Sequence, residues 1–277
     1  MYQFLYRIFS TPFGYVMRLI YQFVGNYAVA IFLFALLVKV LMLPLSIKQK
    51  KSMLEMQRIN PKIQQIQKTY AKDQRRMQEE LQNLYEKEGV SPMAGCGTSL
   101  ITLPIMIGLY GVVIQPLTYF MQLTAAQITE IATRLGFEMT TYSSQIGLAG
   151  LIYNNFEKVA DVSDKLMRVS FQLGPIDLSQ TANFRAPSAL WIIPLLSGVS
   201  AYLFSMVQQK LNPNQNAQTQ GTANTMMMMM PLMSLFFAFM LPNALGIYWI
   251  SNNVLSALQE FLLTKWFQKK QEQEKLQ

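Results

Sequence analysis

The residues able to do chemistry are few, and one of them stands in an awkward place. Lys39 lies inside the apolar run FALLVKVLMLPLS, residues 34–46, with Pro44 five positions later. The chain has no histidine, which excludes serine–histidine nucleophiles, histidine metal ligands and histidine proton relays. Its single cysteine, Cys96, excludes an intrachain disulfide and a cysteine-cluster metal site. A lysine at the centre of a bilayer costs about 3 kcal/mol, so it needs a partner or water. All fifteen acids fall in loops, tails or the segment 124–186, apart from Glu260. Three readings of Lys39 compete. Its stem can snorkel toward headgroups, Ser46 being ~10 Å further along a helix. It can pair with Glu260, which stands at a similar height. It can also stand in a water-filled cavity, available to a ligand. The last is preferred, because Pro44 has no N–H for the Val40 carbonyl and leaves nearby backbone polar too.

Other apolar stretches carry polar residues that could line such a cavity: Thr98, Ser99 and Thr102; Ser197, Ser200 and Ser205; Ser251, Asn252 and Asn253. For each small hydroxyl, ordinary helix–helix packing is the better reading. The adjacent asparagines are harder to dismiss, since amides in lipid need partners.

The elements that must position these groups follow from composition. Of 277 residues, 51% are apolar and only 14% charged, and the net charge is +8. That balance fits a helical membrane protein whose bases flank apolar spans. Five spans are expected, at 26–46, 91–123, 187–208, 225–241 and 245–264. Pro104 and Pro116 should kink or end parts of the second. Asn60-Pro61 and Ser91-Pro92 pair an N-cap residue with a proline at a helix start, and Pro187 can open the third span. Ten bases crowd 47–90 and four more lie in the tail 265–277. The positive-inside rule therefore puts both in the cytoplasm and the N-terminus outside.

Residues 1–25 read as an interfacial amphipathic helix on the external side, with Phe4, Leu5, Ile8, Phe9, Tyr15, Leu19 and Phe23 as apolar contacts. Segment 47–90 reads as a helical hairpin whose seams, Met53, Met56, Ile63, Ile66 and Tyr70 against Met77, Leu81 and Leu84, face each other across a turn at Asp73. The external segment 124–186 repeats apolar residues at helical spacing (Ile128, Ile131, Leu135; Phe156, Val159, Leu166, Met167), as short amphipathic helices on a membrane surface would. Residues 209–224 form a cytoplasmic loop. The run Met226 to Met230 is either a soft surface for varied apolar helices or a plain span start.

At this point blocks of the sequence resemble a known family. FVGNYAVAIFLFALLVKVLMLPLSIKQKKSMLEMQRINPKIQQIQ, LYEKEGVSPMAGCGTSLITLPIMIGLY, FQLGPIDLS and MMMMMPLMSLFFAFMLPNALGIYWISNNVLSALQEFLL follow the order of the core of the bacterial YidC membrane-protein insertases. The resemblance implies an all-α integral membrane protein: a five-transmembrane-helix insertase core with a cytoplasmic helical hairpin and peripheral amphipathic helices, in a short form without the large external domain. It implies a hydrophilic groove open to cytoplasm and lipid, in which Lys39 occupies the place of a basic residue that is commonly arginine. Lysine keeps the charge and loses the bidentate fork. Substrate contact is implied at Met106, Ser205, Tyr248 and Trp249, with Asn252 added from the reading of the asparagine pair. Ser205 stands where a longer polar residue is familiar, and Glu260, the candidate charge partner, where glutamine is.

The expected action moves nascent membrane proteins from the cytoplasm into the bacterial plasma membrane, without covalent chemistry, nucleotide, metal or other cofactor. Candidate partners are the ribosome, the signal recognition particle pathway, the Sec translocon and membrane lipids. A small transporter or channel, with Lys39 as an anion site, is the alternative; missing inverted repeats and scarce membrane acids count against it. An intramembrane protease would lack its histidine or paired aspartates.

Overall fold

The computed structural model describes residues 2–91, 97–139, 144–212 and 222–275. Its helices are α1 (Tyr2–Val24), α2 (Tyr27–Leu41), α3 (Leu43–Thr69), α4 (Gln74–Glu88), α5 (Gly97–Ile114), α6 (Pro116–Tyr119), α7 (Ala125–Arg134), α8 (Ser144–Asn154), α9 (Ile192–Leu211), α10 (Thr222–Met240) and α11 (Asn243–Lys275). A two-stranded hairpin, β1 (Gln172–Leu173) and β2 (Ile176–Asp177), sits between α8 and α9. Among the described residues one helix, Ala189–Leu211, is long and apolar enough by itself to cross a membrane; α2 with α3 qualifies only as a bent pair.

That bend replaces the straight helix expected over 26–46. Asn26 caps α2 by accepting from the Val29 N–H, and the helix stops at Leu41. Met42 still donates to the Val38 carbonyl at 2.9 Å. Pro44 cannot continue the ladder, so the chain turns by 59° and Pro44 falls in the first turn of α3, where a missing N–H is harmless. Elsewhere proline behaves less simply. Pro116 ends α5 and opens α6, as expected, whereas Pro104 lies within α5. Asn60-Pro61 does not start a helix: both residues lie inside α3. Burial of Ile59 and Ile63 on either side holds the helix together through the lost hydrogen bond. Pro187 does not open the third span either, because helical structure starts at Ala189. Pro92 and Cys96 lie outside the described residues.

α1 packs on α2, α5 and α6 through Ser10, Phe13, Gly14, Met17 and Tyr21, a 3.6-residue stripe. Gly14 is required, since a Cβ there would run into the Tyr119 carbonyl. Ile8, Tyr15, Leu19 and Phe23 are exposed on the other face, and Phe9 touches the bundle beside Gly108. The side chains of Phe4 and Leu5 are outside the described set.

α4 folds back onto α3. Asp73 caps it from the Arg76 N–H at 3.1 Å, and Gly89, at φ 64°, closes it in the left-handed conformation. Ile59, Ile63 and Val90 are buried there with Met56, Leu81, Leu84 and Tyr85 packed around them. Met56, Ile63, Leu81 and Leu84 thus meet in one small cluster.

The segment 124–186 is built differently from the expectation of surface-lying helices. Thr124 and Gln127 form a capping box on α7. Ile128 and Ile131 then point into the main core rather than away from it. The stretch from Phe156 to Val162 is two single 3-10 turns, and 163–171 is irregular before β1. Val159 and Leu166 are nonetheless buried, so apolar spacing marked burial without marking helix.

Candidate functional site

The polar groups gather where α2 bends into α3, against α9 and α11. On α2–α3, Lys39, Ser46 and Lys50 recur at intervals of seven and four, so they share one side of the path. On α11, Tyr248, Asn252, Ser256 and Glu260 recur every four residues, a single helical stripe. Together with Gln208 and Asn212 from the end of α9 they line a cavity of about 420 Å³. Ile105, Phe204 and Leu263 supply apolar wall.

Lys39 is half-buried, and its Nζ donates to Ser256 Oγ at 2.7 Å. Among the described residues no carboxylate pairs with it. An ammonium has three donors, so two have no partner among the described residues. Glu260 is engaged elsewhere. Its Oε1 accepts from Lys50 Nζ at 2.5 Å and from Asn212 Nδ2 at 2.8 Å, while Lys50 also donates to Asn212 Oδ1 at 3.0 Å. Gln57 Nε2 adds a 3.3 Å contact to the same Asn212 oxygen. The Lys50 side chain is 2% exposed and that of Glu260 16%. This closed ring of three side chains ties α3, α9 and α11 together. Removing one partner of such a buried pair leaves an uncompensated charge, which costs about 3–5 kcal/mol.

The alternative in which Lys39 pairs with Glu260 assumes two straight helices with these residues at similar height. Lys39 and Lys50 would then stand ~16 Å apart, and Ser256 and Glu260 ~6 Å. The bend at Met42 and the reach of two lysine stems bring both cations onto one stretch of α11. Lys50 takes the carboxylate and Lys39 the hydroxyl one turn away.

Of the residues expected at a site, Lys39, Tyr248, Asn252 and Glu260 share the cavity. Met106 and Trp249 are half-buried against the main core and do not line it. Ser205 lies off it too, accepting from Gln209 Nε2 at 3.4 Å. Most other hydroxyls serve packing: Ser197 meets Ser234 at 3.3 Å, Ser200 accepts from Asn253 at 3.0 Å, and Ser251 donates to the Ile247 carbonyl at 2.7 Å. The side chains of Thr98, Ser99, Thr102, Met226, Met227, Met228 and Met230 lie outside the described set; Met229 is exposed. Lys50, Asn212, Ser256 and Gln259 were not singled out from sequence. The four-residue stripe on α11 carried the signal for Ser256. Gln259 Nε2 is buried without a hydrogen-bond partner among the described residues, an amide donor ready for a carbonyl or water.

Around this charged interior the outer surface is apolar. Val199, Tyr202 and Leu203 on α9, Leu232, Phe236 and Met240 on α10, and Val254, Leu258 and Leu262 on α11 are all about half-exposed. Apolar side chains exposed along three helices beside a polar cavity are those of a helical membrane protein, with lipid as the solvent of its outer face. The chain belongs to the 60Kd inner membrane protein family, whose model matches residues 19–271. It is 32% identical over 256 residues to the membrane protein insertase YidC of Granulibacter bethesdensis, covering 92% of this chain and 38% of that protein. It is 28% identical over 260 residues to the proteins of the same name from Francisella philomiragia and Francisella tularensis subsp. novicida, in each case 94% of this chain and 36% of the relative. The chain therefore spans little more than a third of the length of these relatives.

Proposed function

We propose that the chain is a membrane-protein insertase, a non-enzymatic device that passes hydrophobic segments of nascent proteins from the cytoplasm into lipid. One observation carries the reading: a cavity of about 420 Å³ in an apolar-coated bundle holds a lysine, Lys39, whose one described partner is a neutral hydroxyl. The family and the names of the relatives support it.

In this reading five spans (α2, α5–α6, α9, α10 and the first part of α11) cross the plasma membrane. The α3–α4 hairpin and the basic end of α11 face the cytoplasm, and the N-terminus and 124–186 lie outside. The cavity opens toward the cytoplasm. A short hydrophilic segment of the substrate enters it, and its carboxylates meet the two uncommitted donors of Lys39. Asn252, Tyr248 and Gln259 offer hydrogen-bond partners in place of water. Polar groups then cross a shorter apolar distance than the full bilayer. The substrate's apolar helix, with Met106, Ser205 and Trp249 as further contacts, moves along the outer faces of α9 and α11 into lipid. Hydrophobic transfer supplies the drive, and for acidic segments the membrane potential adds to it. Nascent chains are the substrates; ribosome, signal recognition particle pathway and Sec translocon are the partners to test against the α3–α4 hairpin and the tail.

The test replaces Lys39 with alanine, glutamate or arginine and scores insertion of single-span substrates that carry acidic external segments. Alanine and glutamate are expected to lose most insertion of these substrates, and arginine to keep it. Equal insertion by the lysine, alanine and glutamate proteins would show that the charge is structural and the mechanism wrong at that residue.

A further inference from the structure

The cavity contains two lysines and one carboxylate, and the geometry divides them unequally. Lys50 and Glu260 neutralise each other inside the ring closed by Asn212, with Lys50 almost fully buried. Among the described residues Lys39 is left as the one cation of the cavity wall without a carboxylate. We propose that Glu260 is a specificity-determining residue: by holding Lys50 it sets the cavity at a single positive charge, and so sets how strongly acidic segments are preferred over neutral ones. This rests on the insertase reading for its consequence, but the electrostatic part stands on the ring alone.

The physical argument is one of charge count and reach. Ser256 and Glu260 are one turn apart on α11, so the Lys50–Glu260 pair stands about one turn from the Lys39 ammonium. At that separation, in a partly desolvated site, a unit charge is felt strongly by any ion entering. Were Glu260 neutral, Lys50 would add a second cation to the same wall. Were Lys50 neutral, Glu260 would cancel Lys39. Asn212 serves the ring as a hinge of both signs, accepting from Lys50 and donating to Glu260, so that it favours the charged pair over either partner alone. The same ring fastens the α9 end to α11, which a purely structural role would also explain. The two roles differ in sign behaviour. A structural tie is damaged in the same direction by the loss of either partner; a charge setting moves in opposite directions.

The experiment uses the full chain with Cys96→Ser and a single reporter, Gln208→Cys, on the cavity wall. The rate of its modification by an anionic methanethiosulfonate is divided by that for a cationic one. Glu260→Gln is expected to raise this ratio roughly three- to tenfold, and Lys50→Gln to lower it by a similar factor. The double variant Lys50→Gln/Glu260→Gln is expected to return it to the starting value. The same four proteins are then compared for insertion of substrates whose external segment carries three acidic residues or none, as a ratio, so that general damage cancels. The acidic-to-neutral ratio should follow the reagent ratio in order and sign.

If the reagent ratio is the same in all four proteins, or if both single variants shift it the same way, the pair is only a tie and the proposal is overturned. If the reagent ratio moves as stated but no protein inserts either substrate, the charge setting stands and the insertase reading fails.

Discussion

The two ends of α2 lie in opposite environments. At its start Tyr27, Ala28, Ala30, Ile31, Phe34 and Ala35 are buried. Tyr27 sits among rings: Tyr21, Phe120 and Phe171 have centroids 6.4, 5.9 and 4.6 Å from it. Tyr21 reaches further, accepting from the Ser170 N–H at 3.2 Å, and Arg18 donates to the Met121 carbonyl at 3.1 Å. These contacts draw α1, α6 and the stretch before β1 into a dry plug. Twelve residues after Tyr27 the same helix presents Lys39 to a cavity. The difference teaches how one apolar helix can serve a closed face and a polar cavity. The plug spends aromatic surface on excluding water; the cavity leaves polar groups partly uncommitted, so that something else can satisfy them.

The largest effect that would break this comparison lies in the plug. Phe120 is fully buried against Tyr21 and Tyr27. Phe120→Ala is expected to cost about 3–5 kcal/mol, read as a lowered unfolding midpoint in detergent. It should leave the acidic-to-neutral insertion ratio unchanged among molecules that remain folded. A changed ratio would mean that plug and cavity are one cooperative unit.

A finer contrast comes from deleting one hydroxyl at each end. Tyr27 Oη is buried with no hydrogen-bond partner among the described residues. An unpaired buried hydroxyl is a cost, so Tyr27→Phe should stabilise the protein by about 1 kcal/mol. Ser256 holds Lys39, but in a cavity large enough for water to replace it. Ser256→Ala should therefore change stability by less than about 1 kcal/mol while weakening the preference for acidic segments, because the ammonium is no longer held in place. Thermal unfolding of the two variants side by side checks both signs; a Ser256→Ala loss larger than that of Phe120→Ala would mean that the cavity is dry.

Much of the polar end was legible in the sequence, and the reason is that charge in an apolar run is rare. Lys39, Asn252 and Glu260 stand out against their neighbours, and the structure brings all three to one wall. What could not be read is who pairs with whom. Lys50 looks like one more base in a basic loop until the bend at Met42 carries it inward, and a bend of 59° is a property of packing around Pro44 that residue counts do not contain. Asn60-Pro61 misled in the opposite way, since a local helix-start signal was overridden by the burial of Ile59 and Ile63. In the segment 124–186 the apolar positions Ile128 and Ile131 do lie on a helix, α7, whereas Val159 and Leu166 are buried without an α-helix. Burial there is set by contact with α1, α5 and α6, which periodicity within a short segment cannot see.

The smallest effect tests a third environment, the exposed tie between α3 and α4, against the buried ring a few turns away. Glu88 accepts from Lys62 Nζ at 2.5 Å and from Arg58 at 3.2 Å, and both bases are mostly exposed. The hydrogen bond from Lys62, with the charges of Lys62, Arg58 and Lys87, holds the Glu88 carboxyl below its usual value of about 4.5. A carboxylate depressed in the folded state stabilises that state above its unfolded value and stops doing so as pH falls through the folded one. The tie should therefore be constant from pH 7 down to about 4.5 and weaken only below it. Amide hydrogen exchange within α4, divided by its intrinsic rate at each pH, should accelerate by at most about twofold over that lower range, because exposed pairs contribute little. Glu88→Gln should remove the dependence. Acceleration already between pH 7 and 5, or persistence of the low-pH change in the glutamine variant, would assign the titration to another group. Either result would leave the apolar seam of Ile59, Ile63, Leu81 and Leu84 as what holds α4 in place.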